Sequence, residues 1–238
     1  TIYDATDSRS LVRTIIREMG LDDKVYKPAA VVSRISAAKN NLLTAREYAS
    51  NRSITARDSM AKVPMLSEIY LRYASRCYKS GAMDFDDLLM NTNILFRDHP
   101  DVLETYQEKF KYILVDEYQD TNYAQYLIIK GLSAKHRNLC VVGDDAQSIY
   151  SFRGARIENI LNFRNDYPDY ALYKLERNYR STKTIVNAAN SIILHNKGQI
   201  SKTVYSENIL GNRIRLMESM TDGEEGFRIA SDIFDRSI

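Results

Sequence analysis

From residue 112 onward the chain alternates short apolar runs with helical stretches, and that alternation restricts its fold more than any other feature. Tyr112-Ile113-Leu114-Val115 is one run and Leu139-Cys140-Val141-Val142 a second. Leu172-Tyr173-Lys174-Leu175 is a weaker third, and Arg213-Ile214-Arg215-Leu216-Met217 alternates like a strand with one face exposed. Between the first two runs, Tyr126, Leu127, Ile128 and Leu132 follow helical spacing. After the third, Ile185, Val186, Ala189, Ile192 and Ile193 mark an amphipathic helix that starts near Ser181 or Thr182. Strands alternating with helices predict a mostly parallel sheet covered by helices, an α/β fold.

The first eighty residues have a different texture. Asp7 and Ser8 are predicted caps for a helix carrying Leu11, Val12, Ile15, Ile16 and Met19, with Gly20 as its stop. Pro28 suits the first turn of a second helix with Val31, Val32 and Ile35. Residues 50–64, with Asn51, Ser53, Ser59 and Pro64, read as an irregular connection. Leu66, Ile69, Tyr70, Tyr73 and Cys77 then share one face of a helix that ends near Gly81. No strand pattern is visible there, so this stretch reads as an all-helical unit. From Met83 the pattern changes: Asp84 is a predicted cap for a helix through Leu88 and Leu89, with Asp87 at its positive end.

Composition narrows the classes. With 44% hydrophobic and 27% charged residues among 238, the chain is not of the disordered type. No apolar run approaches the ~20 residues of a spanning helix, and no secretory leader opens the sequence. Cys77 and Cys140 are far apart, and His99, His136 and His195 are scattered. Neither a disulfide framework nor a zinc site is indicated, and the inside of a cell is the expected compartment. Charge is uneven: residues 1–80 hold 14 Lys and Arg against 8 Asp and Glu, whereas 81–238 hold 19 against 23. A basic segment beside an acidic one fits a surface that meets phosphates; a solvated helical face is the plainer reading of the charge alone. The first residue is threonine, and the chain is expected to be an internal piece of a longer protein.

The residues that carry chemistry follow the apolar runs, where ligands of open α/β sheets sit. The first run leads into Asp116-Glu117-Tyr118-Gln119-Asp120-Thr121-Asn122. A carboxylate there can hold Mg²⁺ and its neighbour can deprotonate water; alternatively, the acids cap the next helix. The second leads into Gly143-Asp144-Asp145-Ala146-Gln147-Ser148-Ile149-Tyr150-Ser151-Phe152-Arg153-Gly154-Ala155. Gly143 permits a sharp turn, after which Gln147 is expected to enter the crevice of Asp116 and Glu117 and sense a terminal phosphate. Tyr150 and Phe152 share a face in extended backbone, with Arg153 beside them, a platform on which single-stranded bases stack; two core aromatics and a surface arginine are the alternative. The third run leads into Glu176-Arg177-Asn178-Tyr179-Arg180-Ser181, where an arginine can neutralise charge on a phosphoryl group or simply form a salt bridge.

Taken in order, these pieces resemble motifs II, III and IV of the superfamily 1 DNA helicases of the UvrD, Rep and PcrA type. The resembling elements are Asp116-Glu117-Tyr118-Gln119-Asp120, Gly143 through Ala155, and Asn178-Tyr179-Arg180-Ser181. Met83-Asp84-Phe85-Asp86-Asp87-Leu88-Leu89 is similar to the segment where that family's chain re-enters its first motor lobe. The helical start, including Ile35-Ser36-Ala37-Ala38-Lys39-Asn40, is similar to the subdomain inserted in that lobe. The resemblance implies a RecA-like (P-loop NTPase) parallel sheet with an inserted all-helical subdomain. Residues 1–80 would be the insert, 81–172 the second half of the first lobe, and 173–238 the start of the second.

It also implies roles. Asp116, with Glu117, would serve the Mg²⁺ of MgATP, and Glu117 would be the catalytic base. Gln147 would couple the γ-phosphate to the DNA track, Tyr179 would stack on adenine, and Arg180 would be the arginine finger. Tyr150, Phe152 and Arg153, with Phe85 nearby, would hold single-stranded DNA beside duplex junctions. The position of Phe152 is often tryptophan in that family, so its smaller ring would weaken stacking. Hydrolysis would drive 3′ to 5′ movement and unwinding in the cytoplasm. No G-x-x-x-x-G-K-[ST] loop is present, since none of the nine glycines precedes lysine, and the family's later motifs are not visible. A central fragment is therefore expected, inactive alone as an ATPase and prone to form homo-oligomers through exposed sheet edges. Two alternatives stay open: a degenerate DNA-binding module without catalysis, and the motor part of a helicase–nuclease subunit.

Overall fold

The computed structural model describes residues 1–151 and 154–237. Phe152 and Arg153 lie outside the described residues. The chain divides into two compact units, Thr1–Asp169 and Tyr170–Ile238.

The first unit begins with β1 (Ile2–Tyr3) and α1 (Ala5–Glu18). Asp4, rather than Asp7 or Ser8, is the N-cap. Its carboxylate accepts from the Thr6 and Asp7 N–H groups, and Asp7 accepts in return from the Asp4 N–H. The expected start was displaced because Asp7 is the second half of a capping box rather than its first. In α2 (Pro28–Asn40) the proline occupies the first turn, as its missing N–H favours.

Residues 45–60 correct the expected irregular connection. They form α3 (Ala45–Ser50) and α4 (Arg52–Met60). Thr44 builds a capping box with Glu47, and Asn51 Oδ1 accepts from the Ser53 and Ile54 N–H groups. Of the polar residues expected in a loop, Asn51 is the cap of α4, and Ser53 and Ser59 lie within that helix. α5 (Leu66–Lys79) follows and ends before Gly81, whose φ of 56° only glycine adopts freely.

The helices bury one another's apolar stripes. Val12, Ile15 and Ile16 of α1 meet Val31 and Ile35 of α2 and Leu66, Ile69, Tyr70, Tyr73 and Cys77 of α5 in one core. Each large side chain so buried stabilises the unit by about 1.5–3 kcal/mol before entropy is counted. The tyrosine hydroxyls are satisfied: Tyr48 donates to Asp58, and Tyr70 to the Leu43 carbonyl. The segment is not strand-free as expected, because β1 pairs in parallel with β2 (Met83–Asp84). That pairing ties the start of the chain to the entrance of α6 (Phe85–Asp98), whose capping box of Asp84 and Asp87 agrees with the sequence expectation.

After α7 (Pro100–Lys109) comes the strand–helix–strand unit that positions the site. β3 (Ile113–Val115) and β4 (Leu139–Val141) pair in parallel, Ile113 opposite Leu139 and Val115 opposite Val141, with α8 (Tyr123–Ser133) between them in sequence. Short α9 (Glu158–Leu161) and α10 (Phe163–Asp166) close the unit, with Phe163 edge-on to the buried ring of Tyr118.

The second unit holds α11 (Lys183–Ile193) and α12 (Asp222–Ser237). The runs at 172–175 and 213–217, expected as strands, are not strands. Leu172, Tyr173, Leu175, Ile214 and Leu216 are exposed, and the bridge here is a single parallel one between Arg177 and Tyr205. A strand exists only where a neighbour supplies a continuous ladder, and the segment beside residues 174–178 supplies a single bridge, with the Tyr205 N–H on the Glu176 carbonyl and the Asn178 N–H on the Tyr205 carbonyl. No described helix is long and apolar enough to cross a membrane.

Candidate functional site

Because β3 and β4 are parallel, their carboxyl ends emerge together. The ladder continues past the strands: Val142 N–H donates to the Val115 carbonyl, and Tyr118 N–H to the Val142 carbonyl. Asp116-Glu117 and Gly143-Asp144 are thus adjacent loops. Asp116 and Glu117 are both exposed and do not cap α8; Asn122 does. Asp116 Oδ1 instead accepts the Glu117 N–H at 2.9 Å.

Glu117 has φ 50° and ψ 42°, a left-handed backbone unusual for a residue with a Cβ. Its carboxylate accepts from Gln119 Nε2 at 2.8 Å. Gln119 is buried, and its Oε1 accepts the Asp144 N–H at 3.0 Å. A 3₁₀ turn at Tyr118–Asp120 then leads to Thr121, whose carbonyl accepts from the Arg156 N–H and Asn159 Nδ2. Asn122 Nδ2 reaches α2, donating to Asn40 Oδ1 at 2.7 Å.

A cleft of about 330 Å³ opens beside this loop, lined by Leu89, Asp116, Glu117, Asp120, Gln125 and Ile128 among others. Gln147 is not among its lining residues. Its Nε2 donates to Asp144 Oδ2 at 2.8 Å within a 3₁₀ turn, Asp145–Gln147. Gly143 also differs in its reason, since it lacks a positive φ. A Cβ there would lie 2.6 Å from Gln119 Oε1 and 2.9 Å from Ile160 Cδ1, so the glycine serves close approach. A larger cleft of about 960 Å³ among α2, α3 and α4 touches none of the expected site residues.

Tyr150 is exposed on the segment after Gln147, and Phe85, 63% exposed, stands in the first turn of α6. In the second unit, Asn178 Oδ1 accepts from the Arg180 and Ser181 N–H groups at 2.9 and 2.7 Å, and Asn208 Nδ2 donates to the Tyr179 carbonyl. Tyr179 is 75% exposed, with the Arg177 guanidinium 4.7 Å from its ring centre. Sequence reasoning assigned no role to Gln119, Asn178 or Arg177. Each sits inside or beside a quoted motif, and only contacts reveal what it does.

The donor set suits Mg²⁺ held partly by phosphate. Asp116 and Glu117 offer hard oxygens, and Asp120 Oδ1 is buried without a partner. Among the described residues no cluster of three or more His, Cys, Asp or Glu could hold a metal ion.

Comparison with known proteins agrees with the motif order. Residues 1–168 match the UvrD/REP helicase N-terminal domain, and residues 173–237 the UvrD-like helicase C-terminal domain. The ATP-dependent DNA helicase PcrA of Leuconostoc citreum is 42% identical over 233 residues, covering 98% of this chain and 30% of that protein. The proteins of the same description in Staphylococcus aureus strain Mu50 and Staphylococcus epidermidis are 43% identical, with 98% and 31% covered. The chain spans about a third of the length of these curated relatives. With both domain types matched in order along nearly all of its residues, the chain belongs to the UvrD/REP helicase family.

Proposed function

We propose that this chain forms part of an ATP-dependent DNA helicase and translocase, which couples MgATP hydrolysis to 3′ to 5′ movement along single-stranded DNA and to duplex unwinding in the cytoplasm. The observation that carries this reading is the exposed Asp116–Glu117 pair at the carboxyl end of a parallel strand, with Glu117 held in a left-handed backbone. Residues 1–80 are the helical insert of the first motor lobe, 81–172 the second half of that RecA-like lobe, and 173–238 the opening of the second. When bound, Mg²⁺ would supply charge neutralisation on the phosphates, and Asp116, with Glu117, would hold it. Glu117 takes the proton from the attacking water. Gln147 relays the state of the terminal phosphate to the segment carrying Tyr150, Phe152 and Arg153, where bases stack, with Phe85 alongside. Tyr179 offers an open ring face to adenine, and Arg180 neutralises charge on the transferring phosphoryl group. The uncovered face of the β3–β4 pair is the basis of self-association.

The test measures Mg²⁺-dependent ATP hydrolysis with and without single-stranded DNA, on the protein as its gene encodes it. Glu117→Gln is expected to lower kcat by about 10²–10⁴-fold while the fold persists. Undiminished, DNA-stimulated turnover in that variant would overturn the reading.

A further inference from the structure

A left-handed backbone at a residue with a Cβ persists only where neighbours hold it. Glu117 is held by its own N–H on Asp116 Oδ1, by the Asp120 N–H on its carbonyl, and by Gln119 Nε2 on its carboxylate. The first two are local turn bonds; the bond from Gln119 is the one that aims the carboxylate itself. Gln119 is 1% exposed, so its amide has no water to turn to. Its orientation is dictated by its partners: the Asp144 N–H requires an acceptor and the Glu117 carboxylate a donor. Gly143 leaves room for that amide, because a Cβ there would stand 2.6 Å from Oε1. One buried side chain therefore spans the carboxyl ends of β3 and β4.

We propose that Gln119 is a positioning residue for the reaction. Its amide fixes the Glu117 carboxylate for the attacking water and ties it to the Asp144–Gln147 turn, so the aim of the base and the setting of that turn change together. This inference rests on the reading of Glu117 as the base.

The experiment compares steady-state ATP hydrolysis of Glu117→Gln, Gln119→Leu and Gln119→Glu in the protein as its gene encodes it. Gln119→Leu removes both amide bonds and is expected to lower kcat at least about tenfold with the KM for ATP within about twofold, as misplacement of a base does. Gln119→Glu is nearly isosteric and decides the matter if the leucine variant does not fold. It keeps an acceptor for the Asp144 N–H but sets an acid among Glu117, Asp120 and Asp144. Its kcat is expected to fall at least about tenfold with the KM for ATP within about twofold, because an ionised carboxyl at this position cannot donate to Glu117. A packing role would leave the kcat of this nearly isosteric variant unchanged, which would count against the proposal. If Glu117→Gln abolishes turnover while the Gln119 variants that fold keep full kcat, the positioning role falls and the proposed function stands. If Glu117→Gln keeps full turnover, both fall.

Discussion

Lys39 is 1% exposed, and two acids and a ring stand against its Nζ. Its Nζ lies 2.6 Å from Asp84 Oδ2, 2.7 Å from Asp87 Oδ1 and 4.9 Å from the Tyr73 ring centre. Tyr73 also donates to Asp84, and Asn40 Nδ2 donates to Asp86 Oδ1. Burial pushes the Asp84 carboxyl up, but Lys39 and the bonds from Lys39, the Asp87 N–H and Tyr73 outweigh it, so the net shift is down. Asp86 and Asp87 are raised, chiefly by burial. A lowered acid contributes stability at neutral pH that is lost as pH falls through its folded value, and a raised one has the opposite sign. Lys39→Met removes the counter-charge, which raises all three acids and costs about 3–5 kcal/mol near pH 7. Because raised acids regain stability on protonation, the gap in melting temperature to the unsubstituted protein should narrow toward about pH 5. A gap that widens on acidification would show that the lysine is not their counter-ion. The sequence marks Lys39 only as one cation in a basic stretch, since pairing with residues 45 and 48 positions away is a tertiary event.

Helices were legible wherever apolar spacing or a cap marked them, as with α5, α6, α8 and α11. The miss at α3 and α4 has a physical cause: Asn and Thr serve both loops and N-caps, and the choice depends on whether a packed face follows. At α4, Asn51 takes the cap and Asp58 is buried, accepting from Tyr48 and Arg34, so the short helix is fastened to the core. Asn51→Ala should therefore cost about 0.5–2 kcal/mol in urea unfolding, whereas Ser53→Ala, exposed in the first turn, should stay within about 0.5 kcal/mol. Equal effects would deny Asn51 the capping role. Strands were legible only as apolar runs. Tyr112–Val115 and Leu139–Val142 became β3 and β4 because each found the other, whereas among the described residues 172–175 and 213–217 form no strand ladder.

Across the whole molecule, the first unit packs a closed helical core but leaves one face of the β3–β4 pair bare. Tyr112, Leu114, which is 77% exposed, Cys140 and Val142 line it. An exposed apolar sheet face marks an interaction surface, and the proposed self-association places it against a second copy. Light scattering should report association that rises with concentration and that Leu114→Lys weakens; a mass independent of both would refute it. The sequence by itself determined the family, the order of the acidic, glycine-bearing and arginine-bearing turns, and six of the twelve helices among the described residues, because these depend on residue type and spacing along the chain. Only the tertiary structure decided that Gln119 joins Glu117 to Asp144, that Gln147 turns back on Asp144, and that Asn122 meets Asn40. Those bonds join residues through space, and a buried amide chooses its partners from whatever the packed chain brings within about 3 Å.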